Sequence, residues 1–298
     1  MNSTGRTALP NVAQRRVLDV PVRGRFVIWD AGPPTAPAVF LLHGATLTAE
    51  LNWSGVVGPL AEHYRVLTLD LRNHGEGPRR GRFRLEDCAD DVAAIAGALG
   101  IEQLVPAGFS MGGFIAQLLW RRHPDLVRGL VLCSTSRNIC GSPWERTIAL
   151  MLPGAIATAA WSPAFYPFGA DTLGASLLDH DLDPEARAWA LARMRRMTLL
   201  DALVALEVGA AFSSHDWVST IDVPTACVVT VRDRVVAPRR QYKLAGALAD
   251  NTTIEIDADH GAFLSAPDRF AAALTAACGV VCGASAATQP DEDDAIAS

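Results

Sequence analysis

Gly108-Phe109-Ser110-Met111-Gly112 decides how the rest of the chain is read. Just before it, Gln103 to Ala107 is short and mostly apolar, the pattern of a buried parallel strand. After it, Gly113 to Arg122 has the spacing of a helix that stops before Pro124. Strand, sharp turn and helix with a serine at the apex make the G-x-S-x-G elbow. The turn forces the serine into strained backbone angles, so the residues two before and two after it must be small. Gly108 and Gly112 meet that need because they lack a Cβ. Ser110 then projects from the sheet edge. The amide of Met111, in the first helical turn, points at any oxyanion forming beside it.

Outward from the elbow, short apolar runs alternate with helical patterns. Arg16 to Val20 and Arg25 to Trp29 suggest an edge hairpin, and Ala38 to Leu42 a central strand. Tyr64 to Leu69 forms another strand, Leu85 to Leu99 a helix with Asp87, Asp90 and Asp91 near its favourable end, and Leu130 to Cys133 a strand. That rhythm implies a mainly parallel, eight-stranded α/β sheet covered on both faces. It breaks near Ser136. From Arg137 to Asp216 the pattern is helical near Trp144–Leu152, Ala186–Met197 and Leu199–Ala211. An insert of this length is too long for a plain loop and predicts a helical cap over the sheet. Thr225 to Val231 and Thr253 to Ile256 resume the sheet, with a helix over Gln241–Ala249 between them and another over Pro267–Ala277. The expected division is a flexible arm over 1–14, a core over 15–136 and 217–282, a cap over 137–216, and a disordered acidic tail over 283–298.

Composition narrows the function classes. The chain has 298 residues, half of them hydrophobic, and no apolar run of membrane-spanning length. Met1 to Gln14 lacks the apolar core of a signal peptide, so a soluble cytoplasmic protein is expected, without stable membrane insertion. Net charge is −6, and Asp291, Glu292, Asp293 and Asp294 supply four of those charges, which gives no argument for nucleic acid. The six cysteines read as reduced thiols, with Cys133 and Cys227 in apolar strand-like runs as small core residues; Cys278 and Cys282 stand four apart without the histidine spacing of a metal site. The arginines at 79, 80, 82 and 84, and at 193, 195 and 196, read as solvated faces.

A serine hydroxyl needs a base, and the base needs an acid to hold its tautomer. Asp233 and His260 each follow an apolar strand, in the chain order Ser, Asp, His. Residues after the C-terminal ends of parallel strands converge on one edge. Asp216, Asp222, Asp257 and Asp259 compete for the acid's place, but the last two stand too near His260 in sequence and Asp222 leads into a strand. His43 and His74 read as loop-bonding residues without a part in proton transfer.

These residues together resemble the α/β-hydrolase superfamily with a cap inserted after the sixth strand, over most of 16–280. The resemblance implies Ser110 as nucleophile, His260 as base and then acid, and Asp233 as the orienting acid. His43-Gly44 resembles the oxyanion-hole loop, which would join the amide of Ala45 to that of Met111. Asp70-Leu71-Arg72-Asn73-His74-Gly75 resembles the D-x-R-x-H-G loop after the fourth strand. One departure is Thr230, where the family usually has glycine three residues before the acid.

A serine at the elbow, where epoxide- and halide-processing relatives carry aspartate, favours acyl transfer without metal or organic cofactor. The cap offers Trp144, Met151, Trp161, Phe165, Tyr166, Trp189, Met194 and Met197. Of these Trp144, Trp161, Phe165 and Tyr166 are the expected substrate-binding residues of an apolar pocket. The expectation is a carboxylesterase acting on a small-molecule ester with a small to medium lipophilic acyl or aryl group. The alternatives are a carbon–carbon bond or enol-lactone hydrolase, which a pair of pocket arginines would favour, and a non-catalytic ligand-binding member of the fold.

Overall fold

The computed structural model describes residues 9, 12–79, 81–162, 169, 171–174 and 182–286. Eight strands form one sheet: β1 (Gln14–Val20), β2 (Gly24–Ala31), β3 (Ala38–Leu42), β4 (Arg65–Leu69), β5 (Leu104–Phe109), β6 (Leu130–Cys133), β7 (Thr225–Thr230) and β8 (Asn251–Ile256). Their order across the sheet is β1-β2-β4-β3-β5-β6-β7-β8. β1 and β2 run antiparallel, β2 pairs antiparallel with β4, and all later pairs are parallel. β3, β5, β6 and β7 are buried at every residue, which is why they read as continuous apolar runs without alternation.

The helices are α1 (Ala49–Trp53), α2 (Val57–Ala61), α3 (Leu85–Ala98), α4 (Met111–Arg122), α5 (Pro143–Trp161), α6 (Asp171–Gly174), α7 (Pro184–Met194), α8 (Leu199–Ala211), α9 (Pro238–Ala245), α10 (Ala262–Ser265) and α11 (Pro267–Ala286). The period of two along β3 sends Phe40 and Leu42 into one core with Val92, Ile95 and Leu119 of α3 and α4. Val39 and Leu41 enter the opposite core with Phe270 and Leu274 of α11.

α5 to α8 lie between β6 and β7 as cap helices. α5 begins on a capping box in which Ser142 and Glu145 satisfy each other's backbone amides. It runs through Pro153 to Trp161, well past the expected end at Leu152. Ion pairs tie the cap to the core: Arg193 and Arg196 to Glu50 at 3.0 and 3.6 Å, Arg79 to Asp201 at 2.6 Å, and Glu145 to Arg240 at 2.5 Å. Arg195 also pairs, with Asp171 at 2.9 Å. Arg79, Arg193, Arg195 and Arg196 are therefore not simply solvated, as the sequence suggested.

The last helix also outruns its expected end. Leu274, Ala277, Cys278 and Val281 are buried at helical spacing, so the apolar stripe carries α11 on to Ala286. Residues 283–286 are thus helix where a disordered tail was expected. The remaining tail, 287–298, and most of the expected arm, residues 1–8, 10 and 11, lie outside the described residues. Cys278 and Cys282 are both free thiols.

Candidate active site

The parallel strands bring the loops at their C-terminal ends to one sheet edge, among them those after β3, β5, β7 and β8. Ser110 sits at the end of β5 with φ +53° and ψ −117°, a conformation that costs a non-glycine residue about 1–3 kcal/mol. Neighbouring chain holds it there. The Ser110 amide donates to Cys133 O at 2.9 Å, and the Thr135 hydroxyl donates to Ser110 O at 2.8 Å. The flanking glycines are a steric necessity. A Cβ at Gly108 would lie 2.3 Å from Gly112 O, and one at Gly112 would lie 2.0 Å from Leu42 O.

His260 Nε2 lies 3.1 Å from Ser110 Oγ, and His260 Nδ1 lies 2.7 Å from Asp233 Oδ2. With Nδ1–H donating to the carboxylate, Nε2 is left to accept the serine proton. Three of the four competing aspartates are engaged elsewhere: Asp222 accepts from Trp120 Nε1, Asp257 pairs with Arg232, and Asp259 accepts from Ser265 Oγ.

The Asp233 side chain is fully buried. Its Oδ1 accepts from the amides of Val235 and Val236, both at 2.8 Å. Its Oδ2 accepts from Thr230 Oγ1 at 2.9 Å and Gln241 Nε2 at 3.0 Å, besides His260. Thr230 thus replaces the family's glycine with a donor to the acid. Ser134 Oγ lies 3.1 Å from Thr230 Oγ1 and extends the network. Thr135, Gln241 and Ser134 escaped the sequence reading, in which Thr230 stood only as a departure from glycine; its hydroxyl is the signal that could have found them.

The loop after β3 is locked from several sides. Leu71 N donates to His43 Nε2 at 2.9 Å, which leaves the proton on Nδ1, and Nδ1 donates to Gly44 O at 2.8 Å. Gly44 N donates to Asn52 Oδ1 at 3.1 Å. Because the peptide is planar and trans, fixing the Gly44 carbonyl turns the Ala45 N–H the opposite way. The amides of Ala45 and Met111 have no hydrogen-bond partner among the described residues. Burial, with His74 centred 5.0 Å away, pushes the His43 imidazole well below its ordinary pKa. His74 is likewise held down to about 4, chiefly by burial, and its Nδ1 donates to Arg72 O, 2.8 Å away. Asp70 braces the same loops by accepting from Ala49 N at 2.7 Å and Glu76 N at 2.8 Å.

Over the serine lies a cavity of about 100 Å³. Its core walls include Leu47, Phe109, Phe114, Val235, Val236 and Phe263, and its cap walls are Ile139, Met194, Ala205, Leu206 and Gly209. Ser110, Met111, Ala45 and His260 also line it. Of the expected binding aromatics, Trp144 and Trp161 do not. Trp144 is 71% exposed and Trp161 88% exposed, and no described residue of α5 lines the cavity. Phe165 and Tyr166 lie outside the described residues. Among the described residues no cluster of three or more His, Cys, Asp or Glu is arranged to hold a metal ion.

The chain belongs to the alpha/beta hydrolase fold family, whose sequence model matches residues 37–267. Over 247 residues it is 30% identical to a pimeloyl-[acyl-carrier protein] methyl ester esterase of Chromobacterium violaceum, covering 80% of this chain and 92% of that protein. The corresponding esterase of Sodalis glossinidius is 40% identical over 102 residues, 34% of this chain; there the match spans only 37% of the relative. A solved thermophilic esterase from Thermogutta terrifontis superposes with a TM-score of 0.71 at 25% identity, covering 88% of this chain and 97% of the other.

Proposed function

We propose that the protein hydrolyses carboxylic esters of small to medium lipophilic acyl or aryl groups through an acyl-enzyme on Ser110. The observation that carries this is the chain of contacts Ser110–His260–Asp233, at 3.1 and 2.7 Å, opening into an apolar cavity. Ser110 Oγ attacks the ester carbonyl as its proton passes to His260 Nε2. The oxyanion receives the amides of Ala45 and Met111, each contributing on the order of 3 kcal/mol to the barrier reduction. Imidazolium, held by Asp233, then protonates the departing alkoxide. Water, deprotonated by the same imidazole, releases the acid.

The cavity walls favour an uncharged substituent. No arginine stands among the described residues that line the cavity, which weighs against the carboxylate-bearing substrates of carbon–carbon and enol-lactone hydrolysis. The esterase names of the relatives from Chromobacterium and Sodalis support the ester class. A series of p-nitrophenyl esters from acetate to dodecanoate, with methyl esters of the same acids, tests the reading. Turnover should peak at short to medium chains and vanish in Ser110→Ala. Preferential turnover of a ring-cleavage dienoate over every ester would overturn it.

A further inference from the structure

A second concavity, of about 460 Å³, lies beside the reaction cavity. Its walls come from the turn entering the cap, from His215 where the cap returns to the core, and from α9. Arg137, Arg146, Arg239, Arg240 and Lys243 line it, and none of its described lining residues is acidic. In a chain of net charge −6, five cations around one hollow are not background composition. The only lysine of the chain is among them.

The carboxylate paired with Arg240 is already spent. Glu145 accepts from the amides of Gly141 at 2.9 Å and Ser142 at 2.7 Å and pairs with Arg240. Burial raises its pKa, but those donors outweigh burial and hold it at about 2. Arg240 also donates to Asn138 O at 3.3 Å, and Arg146 donates to Gly141 O at 3.4 Å. Arg137, Arg239 and Lys243 have no acidic partner among the described residues. Arg239 and Lys243 are four apart on α9 and so share a face. Like charges gathered in a concave wall repel one another and focus the field on an incoming anion.

We propose that this hollow binds a small organic phosphate monoester. A guanidinium fork matches two phosphate oxygens at once, and a dianion answers more of the unpaired charge than a carboxylate does. The hollow lies within the size range of small-molecule sites, roughly 300–1,000 Å³, so it takes an organic group along with the phosphate. It is separate from the reaction cavity by one layer of chain: Ile139 lines that cavity, whereas Asn138 and Cys140 line the hollow. The site stands whether or not Ser110 hydrolyses esters.

Titration calorimetry in low salt with glycerol 3-phosphate, inorganic phosphate and glycerol tests it. Glycerol 3-phosphate should bind saturably at one site and more tightly than inorganic phosphate; glycerol should not bind. Affinity should fall as sodium chloride is raised. The double substitution Arg239→Gln, Lys243→Gln should weaken binding roughly tenfold or more, with melting temperature and turnover of a neutral ester unchanged. Glu145→Gln keeps a capping acceptor, frees Arg240 and should tighten binding. The proposal is overturned if glycerol 3-phosphate does not bind, if the double variant binds as well as the parent, or if only phosphatidic acid vesicles are bound.

Discussion

Thr230→Val tests how the candidate acid is held. Valine keeps the shape of threonine but deletes the hydroxyl that donates to Asp233 Oδ2 at 2.9 Å. Both Thr230 and the Asp233 side chain have no solvent exposure, so no water replaces the lost donor. A hydrogen bond to a buried charged group is worth about 1.5–3 kcal/mol, and the variant should lose that much stability in a urea titration. Gln241 Nε2 stays satisfied through Asp233 Oδ2 and Val236 O, at 3.0 and 2.8 Å, whereas the buried Ser134 Oγ loses its contact with Thr230 and adds to the loss. A carboxylate with one donor fewer stabilises imidazolium more strongly. The acidic limb of the rate profile should therefore move to higher pH, with the plateau rate changed less than about tenfold. Thr230→Ser should restore both stability and profile. Asp233→Asn, by contrast, should cut turnover by roughly 10⁴-fold without unfolding the protein. A Thr230→Val variant with unchanged stability and an unmoved pH profile would refute the role assigned to this hydroxyl.

Two further outcomes follow from other parts of the site. His74 titrates at about 4 when folded against 6.5 when free, so between those values the unfolded chain takes up a proton that the folded chain refuses. Stability should thus be intact above pH 6.5 and fall by about 3 kcal/mol as pH drops to 4, steeper still with His43 added; urea midpoints at pH 7, 5.5 and 4.5 check this. On α8, a Cβ at Gly209 would sit 3.9 Å from Phe114 Cε2, an ordinary contact. Gly209→Ala should add about 0.5–1 kcal/mol by thermal melting and, by narrowing the cavity, lower turnover of long-chain esters relative to acetate.

The sheet was readable because its central strands are buried on both faces and so stand out as apolar runs closed by polar turns. The same endings exposed Asp233 and His260, each one turn beyond a strand. The cap resisted for an opposite reason. A helix pattern says that one face is apolar, not what that face meets, and α5 leaves Trp144 and Trp161 exposed while small residues of α8, Ala205 and Gly209, line the cavity. Contacts across long separations were equally hidden: Arg193 and Glu50 stand 143 positions apart, and Ser214 bonds Gln117 from 97 positions away. α1, α2 and α10, each four or five residues long, are too short to show a helical period.

Reaction with a fluorophosphonate, followed by peptide mapping, probes the activated hydroxyl directly. One adduct per chain on Ser110, absent from Ser110→Ala and strongly slowed in His260→Ala, is the expected result. An adduct on another serine, or a Ser110 that reacts no faster than free serine, would contradict the account.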